Sequence, residues 1–201
     1  MDFGKVKAAL EMRGFKVSTF ASSAEASRYL NEQIDGMSVS SGGSITLEQT
    51  GILASLGRHN ELVSHWHVPE GKSPDEVRLQ AMTTDVYLTS VNGLAETGEL
   101  INIDGTGNRV SSTLFGHKKV YFVVGRNKLA PTYEDALWRA RNIAAPKNAQ
   151  RLGMKTPCAA KADRCYDCKS PERICRGLVV LWGTMKSCEM EVVLVDEELG
   201  Y

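Results

Sequence analysis

Four cysteines lie close together near the end of the sequence, within TPCAAKADRCYDCKSPERIC at residues 156–175. Their spacing is Cys-x6-Cys-x2-Cys-x6-Cys, and they are Cys158, Cys165, Cys168 and Cys175. Four thiolates can bind one zinc ion or one iron–sulfur cluster, and the central CYDC lets two of them chelate the same metal. The spacing matches neither the paired motifs of zinc ribbons nor the ferredoxin run, so it leaves the identity of the metal open.

Charge and apolar patterning limit the environment and the partners. The N-terminus lacks the features of a signal peptide, and the longest apolar runs are strand-sized, so we expect a cytoplasmic protein with no membrane segment. Cytoplasmic thiols stay reduced, which favours metal ligation over disulfides. Lys plus Arg and Asp plus Glu number 24 each, and the net charge of zero argues against broad binding to nucleic acid. A local basic pocket for a small anion is compatible with this balance.

Three glycine-containing or basic segments hold residues suited to an anionic ligand. SVSSGGSITLEQTG and NIDGTGNR are turns between a predicted strand and a predicted helix, where main-chain amides can approach a negative group. VGRNK leaves a buried strand. The candidate binding residues of these segments are Ser41, Gly42, Gly43, Ser44, Asp104, Asn108, Arg109, Arg126 and Lys128. The alternative for each segment is a tight turn that only caps its helix.

Two carboxylates are candidates for catalysis. Glu96, in NGLAETGEL, could act as a general base or nucleophile, and Asp104 is the second candidate. A solvated turn glutamate is the commoner alternative for Glu96. His65 and His67 share one face of a predicted strand, but no carboxylate or thiol lies beside them, so we interpret the pair as structural.

The elements that must position these residues alternate between strand and helix. Predicted strands include MSVSS, ELVSHWHV, DVYLTSV and KKVYFVVG, and helical patterns lie between them. The first helix would be capped by Asp2, and the helix over TYEDALWRARNIAA at 132–145 would end at Pro146. GLVVLWG and EMEVVLVDEE are predicted to close the chain as a pair of strands.

This alternation predicts a three-layer α/β fold with a mainly parallel sheet and helices on both faces. Residues 1–201 are predicted to form one domain, with a cysteine-rich excursion at about 152–177, here termed the cysteine segment. Ligands of such sheets bind at the carboxyl ends of the strands. The three candidate loops leave strands at that end, so we expect them to converge.

Several stretches resemble the lactate-utilisation (LUD) domain family of LutC/YkgG-like proteins. They are GGSITLEQTGI, DVYLTSVNGLAETGELINIDGTGNR, VGRNK and KTPCAAKADRCYDCKSPERIC. The resemblance implies a fold similar to glucosamine-phosphate deaminase, ribose-phosphate isomerase and the CoA transferases. It also implies association with the oxidation of L-lactate to pyruvate, beside iron–sulfur partner proteins.

Two functions follow as expectations. In the first, the domain binds or acts on a small anionic metabolite, either a carboxylate, a phosphate or a CoA-linked anion, in L-lactate utilisation. In the second, it is a non-catalytic accessory or electron-transfer subunit that partners iron–sulfur oxidoreductase subunits. The family's setting favours a [4Fe–4S] cluster on the four cysteines, with zinc as the alternative. Catalysis and homo-oligomerisation are left open.

Overall fold

The computed structural model describes residues 3–201, so the predicted helix cap at Asp2 lies outside the described residues. The helices are α1 (Gly4–Met12), α2 (Ser23–Gln33), α3 (Ile45–Thr50), α4 (Ile52–Leu56), α5 (Pro74–Ala81), α6 (Asn108–Ser112), α7 (Tyr133–Arg139), α8 (Ala145–Arg151) and α9 (Pro157–Lys161). The strands are β1 (Lys16–Phe20), β2 (Ser38–Ser41), β3 (Glu61–Val63), β4 (Val86–Thr89), β5 (Gly93–Ala95), β6 (Leu100–Asp104), β7 (Lys119–Gly125), β8 (Leu129–Ala130), β9 (Gly177–Leu181) and β10 (Glu189–Val195).

Six strands form a wholly parallel sheet in the order β1-β10-β7-β4-β2-β3. Two interior strands, β7 and β10, are nearly continuous apolar runs, as expected for strands covered on both faces. Along β10, Val192 and Leu194 pack toward one core while Val193 and Val195 pack toward the other. Helices α2, α3 and α4 cover the second of these cores, and the predicted α/β fold with a mainly parallel sheet is confirmed.

A smaller mixed sheet, in the order β8-β5-β6-β9, packs beside the first core. Its strands β5 and β6 form an antiparallel hairpin, and β6 pairs with β9 in the same sense. The two segments predicted to close the chain are both strands, as expected, but they belong to different sheets. β9 joins this small sheet, whereas β10 lies between β1 and β7 in the main sheet, because each strand finds its partners far away in sequence.

The helix predicted over 45–57 is two helices, because Gly51 takes a left-handed conformation with φ of 64° between α3 and α4. The helix expected to end at Pro146 instead continues. Residues Ala140–Ala144 form a π-helical stretch that joins α7 to α8. Such a stretch loosens the usual hydrogen-bond pattern, which lets a proline without an N–H follow it.

The strand predicted in ELVSHWHV ends at Val63. His65 and Trp66 lie in the turn that follows, where the amide of His67 donates a hydrogen bond to the carbonyl of Ser64. His65 and His67 therefore do not share a strand face, and the sequence-based picture of this pair is corrected.

Candidate functional site

A cleft of about 450 Å³ opens at the carboxyl ends of β2, β4 and β7. This is the edge at which open α/β sheets bind ligands, and the volume lies within the range of small-molecule sites. The turn after β6, helix α5 and helix α8 form its other walls. The cleft is therefore the first candidate for a binding or catalytic site.

The structure brings six of the candidate residues to this cleft and leaves four elsewhere. Those that line it are Gly43, Ser44, Asp104, Asn108, Arg109 and Lys128. Ser41 is buried at the end of β2. Arg126 points toward Asp196, and its Nη1 lies 3.5 Å from a carboxylate oxygen of that residue. Gly42 packs against the side chains of Arg109 and Tyr87, and the fourth residue is Glu96.

Glu96 lies in the turn between β5 and β6, against helix α1. Its carboxylate accepts a hydrogen bond of 2.7 Å from the Nζ of Lys5, and it does not line the cleft. A role for Glu96 as base or nucleophile in the cleft has no geometric support in this arrangement. The signal that singled it out, a glutamate among small residues, marks a hairpin turn.

Asp104 and Arg109 mainly hold the turn that contains them. Asp104 accepts hydrogen bonds from the amides of Gly105, Thr106 and Val110, at 2.7, 3.2 and 3.1 Å. Arg109 donates from Nη1 to Asn102 at 2.6 Å and from Nη2 to Asn92 at 3.3 Å, and it also donates to the carbonyl of Ile103. These bonds fix the guanidinium on the cleft wall and leave part of its donor set free.

Gly42 has no side chain because Arg109 and Tyr87 occupy the space. A Cβ at this position would lie 2.5 Å from the Tyr87 hydroxyl and 2.7 Å from Cγ of Arg109, which is too close for either atom. The glycine at the first position of the Gly-Gly pair therefore serves the placement of Arg109. Ser44 caps α3 by accepting a hydrogen bond from the amide of Leu47 at 3.4 Å.

Lys128 is the most unusual residue of the cleft. It is only 4% exposed, and among residues 3–201 its ammonium group has no hydrogen-bond or ion-pair partner. Burial, and to a smaller extent the positive charges of Arg139 and Arg109, lowers the pKa of Lys128 to about 7. The amine is therefore poised to lose its proton near neutral pH.

Arg139 and the segment 199–201 build the environment of Lys128. Arg139, on α7, donates to the main-chain oxygens of Asn127, Asn92 and Tyr201 at 2.7, 2.6 and 3.1 Å. Burial lowers the pKa of Arg139 to about 10. A Cβ at Gly200 would lie 3.2 Å from the Lys128 Nζ, so the last residues of the chain pack directly on this amine.

Sequence reasoning missed several residues of the cleft. Ser90 follows β4, and its hydroxyl is buried with no hydrogen-bond partner in the described part of the chain. Arg78 on α5 and Arg151 on α8 add positive charge, and Arg151 lies over the ring of Trp66 at 5.8 Å. Ser90 could have been found as a hydroxyl directly after a buried strand. The two arginines have no local signal, because surface helices commonly carry arginine.

The four cysteines of the cysteine segment line a second, small cavity between α8, α9 and the turns that follow. Cys165 accepts a hydrogen bond of 3.3 Å from the amide of Asp167, whose φ of 44° turns the CYDC loop back on itself. Arg173 donates to the sulfur of Cys175 at 3.3 Å, and Arg141 donates to the sulfur of Cys165 at 3.7 Å. Lys169 is exposed and does not line this cavity.

The donor set of this cavity suits a metal centre, but the side chains are not closed around one ion. All four thiols are unpaired, so the loop holds no disulfide. Within residues 3–201, no three His, Cys, Asp or Glu side chains are arranged to hold a single metal ion. Four thiols around one cavity, with two guanidinium groups to offset thiolate charge, still match the chemistry of a thiolate-bound centre.

The cysteine cavity and the cleft share a wall. Ala145 and Ile174 line both spaces. Ile174 lies directly before Cys175, and its carbonyl oxygen would be 2.7 Å from a Cβ at Gly105 in the cleft turn. The cysteine segment is thus part of the architecture of the cleft rather than a remote appendage.

A parallel six-stranded sheet with helices on its faces places the chain among the open α/β proteins, which bind their ligands at the carboxyl ends of the strands. The chain belongs to the LUD-domain family, whose model matches residues 4–195. The resemblance drawn from the sequence is therefore confirmed, and family membership supports a role related to lactate utilisation.

Solved structures agree with this fold. A DUF162 family protein from Deinococcus radiodurans aligns with a TM-score of 0.55 at 13% identity, covering 97% of this chain and 99% of that one. A ribose 5 phosphate isomerase A from Neisseria gonorrhoeae aligns with a TM-score of 0.33 at 12% identity, over 54% of this chain and 53% of that one. The first similarity supports the fold, and the second is too low to carry an argument.

None of the curated proteins compared with this chain matches it. Across residues 3–201, every helix is too short or too polar to cross a membrane. The expectations about the cell compartment, the metal and the partners stay predictions.

Proposed function

We propose that the cleft binds a small anionic metabolite, and that this binding is the domain's part in a role related to lactate utilisation. The carrying observation is the charge of the cleft wall. Four cationic side chains line it against one carboxylate, in a chain whose net charge is zero. The cations are Arg78, Arg109, Arg151 and Lys128, and the carboxylate is Asp104.

The single carboxylate does not oppose an anion strongly. Both oxygens of Asp104 accept main-chain amide hydrogens, which spread its negative charge into the turn. The arginines can donate paired N–H groups to a carboxylate or a phosphate, a strong and directional interaction. Ser90 and Asn108 add neutral hydrogen-bonding groups to the same wall. Asn108 and Arg109 are thus supported as ligand-binding residues, as the sequence predicts.

Isothermal titration calorimetry tests this proposal with lactate, pyruvate, inorganic phosphate and coenzyme A as separate probes. At least one probe is expected to bind, and Arg151→Met is expected to weaken that binding about tenfold, the usual cost of losing one charge-assisted hydrogen bond. Arg109→Met should weaken it further and also destabilise the turn. Binding that is unchanged in both variants would place the anion outside the cleft.

Arg58→Met is the matched control for these variants. Arg58 is exposed beyond α4 and does not line the cleft, so its replacement removes the same charge from the chain without touching the site. Equal weakening in Arg58→Met and Arg151→Met would show that net charge, and not the cleft, governs binding.

A second candidate function rests on the cysteine cavity. Here the domain is a metal-bearing accessory subunit, and the four cysteines hold a [4Fe–4S] cluster or, alternatively, zinc. The supporting observation is that all four thiols line one cavity beside Arg141 and Arg173. A bound cluster would supply one-electron redox chemistry, whereas zinc would only stabilise the segment. The chain's own contribution is to gather the thiols and to offset their charge.

Metal analysis with a visible spectrum on anaerobically purified protein tests this second function. A brown preparation with iron and sulfide is expected, and it should lose colour in Cys168→Ser. Cys188→Ser is the matched control, because Cys188 packs beside the first core, away from the cavity. Zinc without colour would replace the redox role with a structural one. Neither metal in reduced protein would contradict both.

A further inference from the structure

Lys128 is the one residue of the cleft whose chemistry the binding of an anion does not require. Arginines bind anions well through their paired N–H donors. A lysine whose role is to supply positive charge is normally hydrated or paired with a carboxylate. Lys128 is only 4% exposed, and it has no ion-pair or hydrogen-bond partner among the described residues. A nearly buried ammonium group without a protein partner, on the wall of a ligand cleft, requires an explanation.

We propose that Lys128 is a nucleophile that forms an imine with the carbonyl carbon of a small anionic carbonyl compound, of the 2-oxo acid class, bound in the cleft. This inference rests on the proposed anion-binding function and names the chemistry of its ligand. The cationic wall would hold the carboxylate, and the amine of Lys128 would meet the adjacent carbonyl.

The surroundings of Lys128 keep a useful fraction of the amine neutral. A protonated lysine cannot attack a carbonyl, and proteins activate lysines by burial or by a neighbouring cation. Both causes act here: burial is the larger, and Arg139 on α7 and Arg109 on α6 are the charged groups that act on the amine. Because its pKa falls to about 7, the amine and its protonated form coexist at neutral pH.

The reaction balances without any other reagent. The neutral amine adds to the carbonyl carbon, and one amine proton moves to the former carbonyl oxygen to give a carbinolamine. The second amine proton and the hydroxyl group then leave as water, and a C=N bond remains between the lysine and the ligand. The buried Ser90 hydroxyl, which has no hydrogen-bond partner in the described part of the chain, belongs to a residue that lines the same cleft, and it can donate a hydrogen bond to the oxygen that departs.

Reductive trapping tests this proposal on the intact chain. Pyruvate is the probe, cyanoborohydride reduces any imine to a stable secondary amine, and intact-protein mass spectrometry counts the adducts. One reduced pyruvate per chain is expected, and peptide mapping should locate it at Lys128. Lactate, which has the same carboxylate but no carbonyl, should give no adduct.

Three variants separate the amine from its surroundings. Lys128→Met and Lys128→Arg are expected to abolish the adduct, the second while keeping a positive charge. Lys147→Met, which removes an exposed lysine from α8, should leave it unchanged. The wild type alone also tests the proposal. The yield of its reduced pyruvate adduct should increase as the pH rises through about 7, where Lys128 loses its proton.

The outcomes distinguish this proposal from the one on which it rests. An adduct that persists in Lys128→Met, or that maps to another lysine, overturns the imine. Pyruvate that binds in calorimetry without forming an adduct also overturns it, and leaves the anion-binding cleft intact. If neither binding nor an adduct is found with any 2-oxo acid or other anionic probe, both proposals fall.

Discussion

Two buried ionisable groups lie at opposite ends of the main sheet and differ in every other respect. Glu191, near the start of β10, is fully buried but surrounded by partners. Ser18 and Tyr29 each donate a hydrogen bond of 2.7 Å to its Oε1, and the ammonium groups of Lys16 and Lys119 lie 3.2 and 3.3 Å from its Oε2. Lys128, beyond the end of β7, has no hydrogen-bond or ion-pair partner within residues 3–201.

The pKa of each group reflects this difference. Burial alone raises the pKa of Glu191, but the hydrogen bonds from Tyr29, Ser18 and Lys16 outweigh it, so the pKa lies below its usual range and the charge is kept. For Lys128 no hydrogen bond opposes burial, so the charge is easily lost. A buried charge with partners is part of the framework, whereas one without partners in a cleft is available for chemistry.

The largest expected effect is the loss of the charge on Glu191. Glu191→Gln should lower the free energy of unfolding by about 3 kcal/mol, because two lysines would face a neutral side chain at a buried site. Urea denaturation measures this as a lower midpoint with an unchanged slope. Glu189→Gln on the same strand is the control, since that carboxylate is 81% exposed and should change stability by less than about 0.5 kcal/mol. Equal losses of stability in Glu191→Gln and Glu189→Gln would contradict the proposed role of the buried charge of Glu191.

A smaller effect is expected when one hydrogen bond to Glu191 is removed. Tyr29→Phe keeps the ring that packs 5.1 Å from Phe20 but removes the hydroxyl, and should cost about 1.5 kcal/mol, as for bonds to charged groups. Chemical denaturation at neutral pH measures it. Tyr166→Phe makes the same change at an exposed hydroxyl that contacts Asp163, and should be nearly neutral. A neutral Tyr29→Phe would mean that Glu191 is held by its lysines alone.

For Lys128, the comparison is tested by the pH dependence of the free energy of unfolding. The folded-state pKa of Lys128 is about 7, below the unfolded value of 10.5, so the unfolded chain binds more protons between these values. Stability should therefore carry a positive contribution of ~1.4 kcal/mol per pH unit as the pH rises through this window. Below pH 7 the folded protein bears the full free-energy cost of burying the charged amine. Above pH 10.5 the amine is neutral in both states, and this cost vanishes.

Lys128→Met should abolish this contribution, whereas Lys147→Met should retain it. Comparing the unfolding free energy of each variant with that of the wild type at several pH values isolates the slope due to Lys128. A Lys128→Met variant whose pH dependence parallels the wild type would show that the lysine is hydrated or paired in solution.

The same contrast between local and distant contacts explains which features of the fold could be predicted from the sequence. The apolar runs of β7 and β10 predict buried strands, and the glycines and basic residues after strands predict which loops reach the cleft. The position of β10 between β1 and β7 could not be predicted, because its partners are distant in sequence: Glu191 pairs with Lys16, and Glu189 pairs with Lys119. Local patterns identify elements, but the order of strands depends on contacts that no local pattern contains.

The burial and the partners of each charged group could not be predicted from the sequence for the same reason. Glu191 reads as a surface glutamate in EMEVVLV until Lys16 and Tyr29 arrive from the other end of the chain. Lys128 is predicted from VGRNK to be a binding residue, but its burial depends on segments that are distant in sequence, such as the one that contains Gly200. Conversely, Glu96 reads as a candidate base and proves to be a turn residue paired with Lys5.

The π-helical stretch between α7 and α8 makes this protein sensitive to chain length at one point. Each residue of a helix turns the chain by about 100°. The stretch at Ala140–Ala144 sets the rotation at which Ala145 and Asn148 face the cleft while Pro146 and Ala149 face the cysteine cavity. Deleting a single residue there would rotate α8 away from both cavities at once, whereas a substitution at an exposed position of the stretch would leave it in place. Among relatives of this chain, gain or loss of a residue in this stretch should therefore be rare, and the buried positions of Ala140 and Ala144 should keep small side chains.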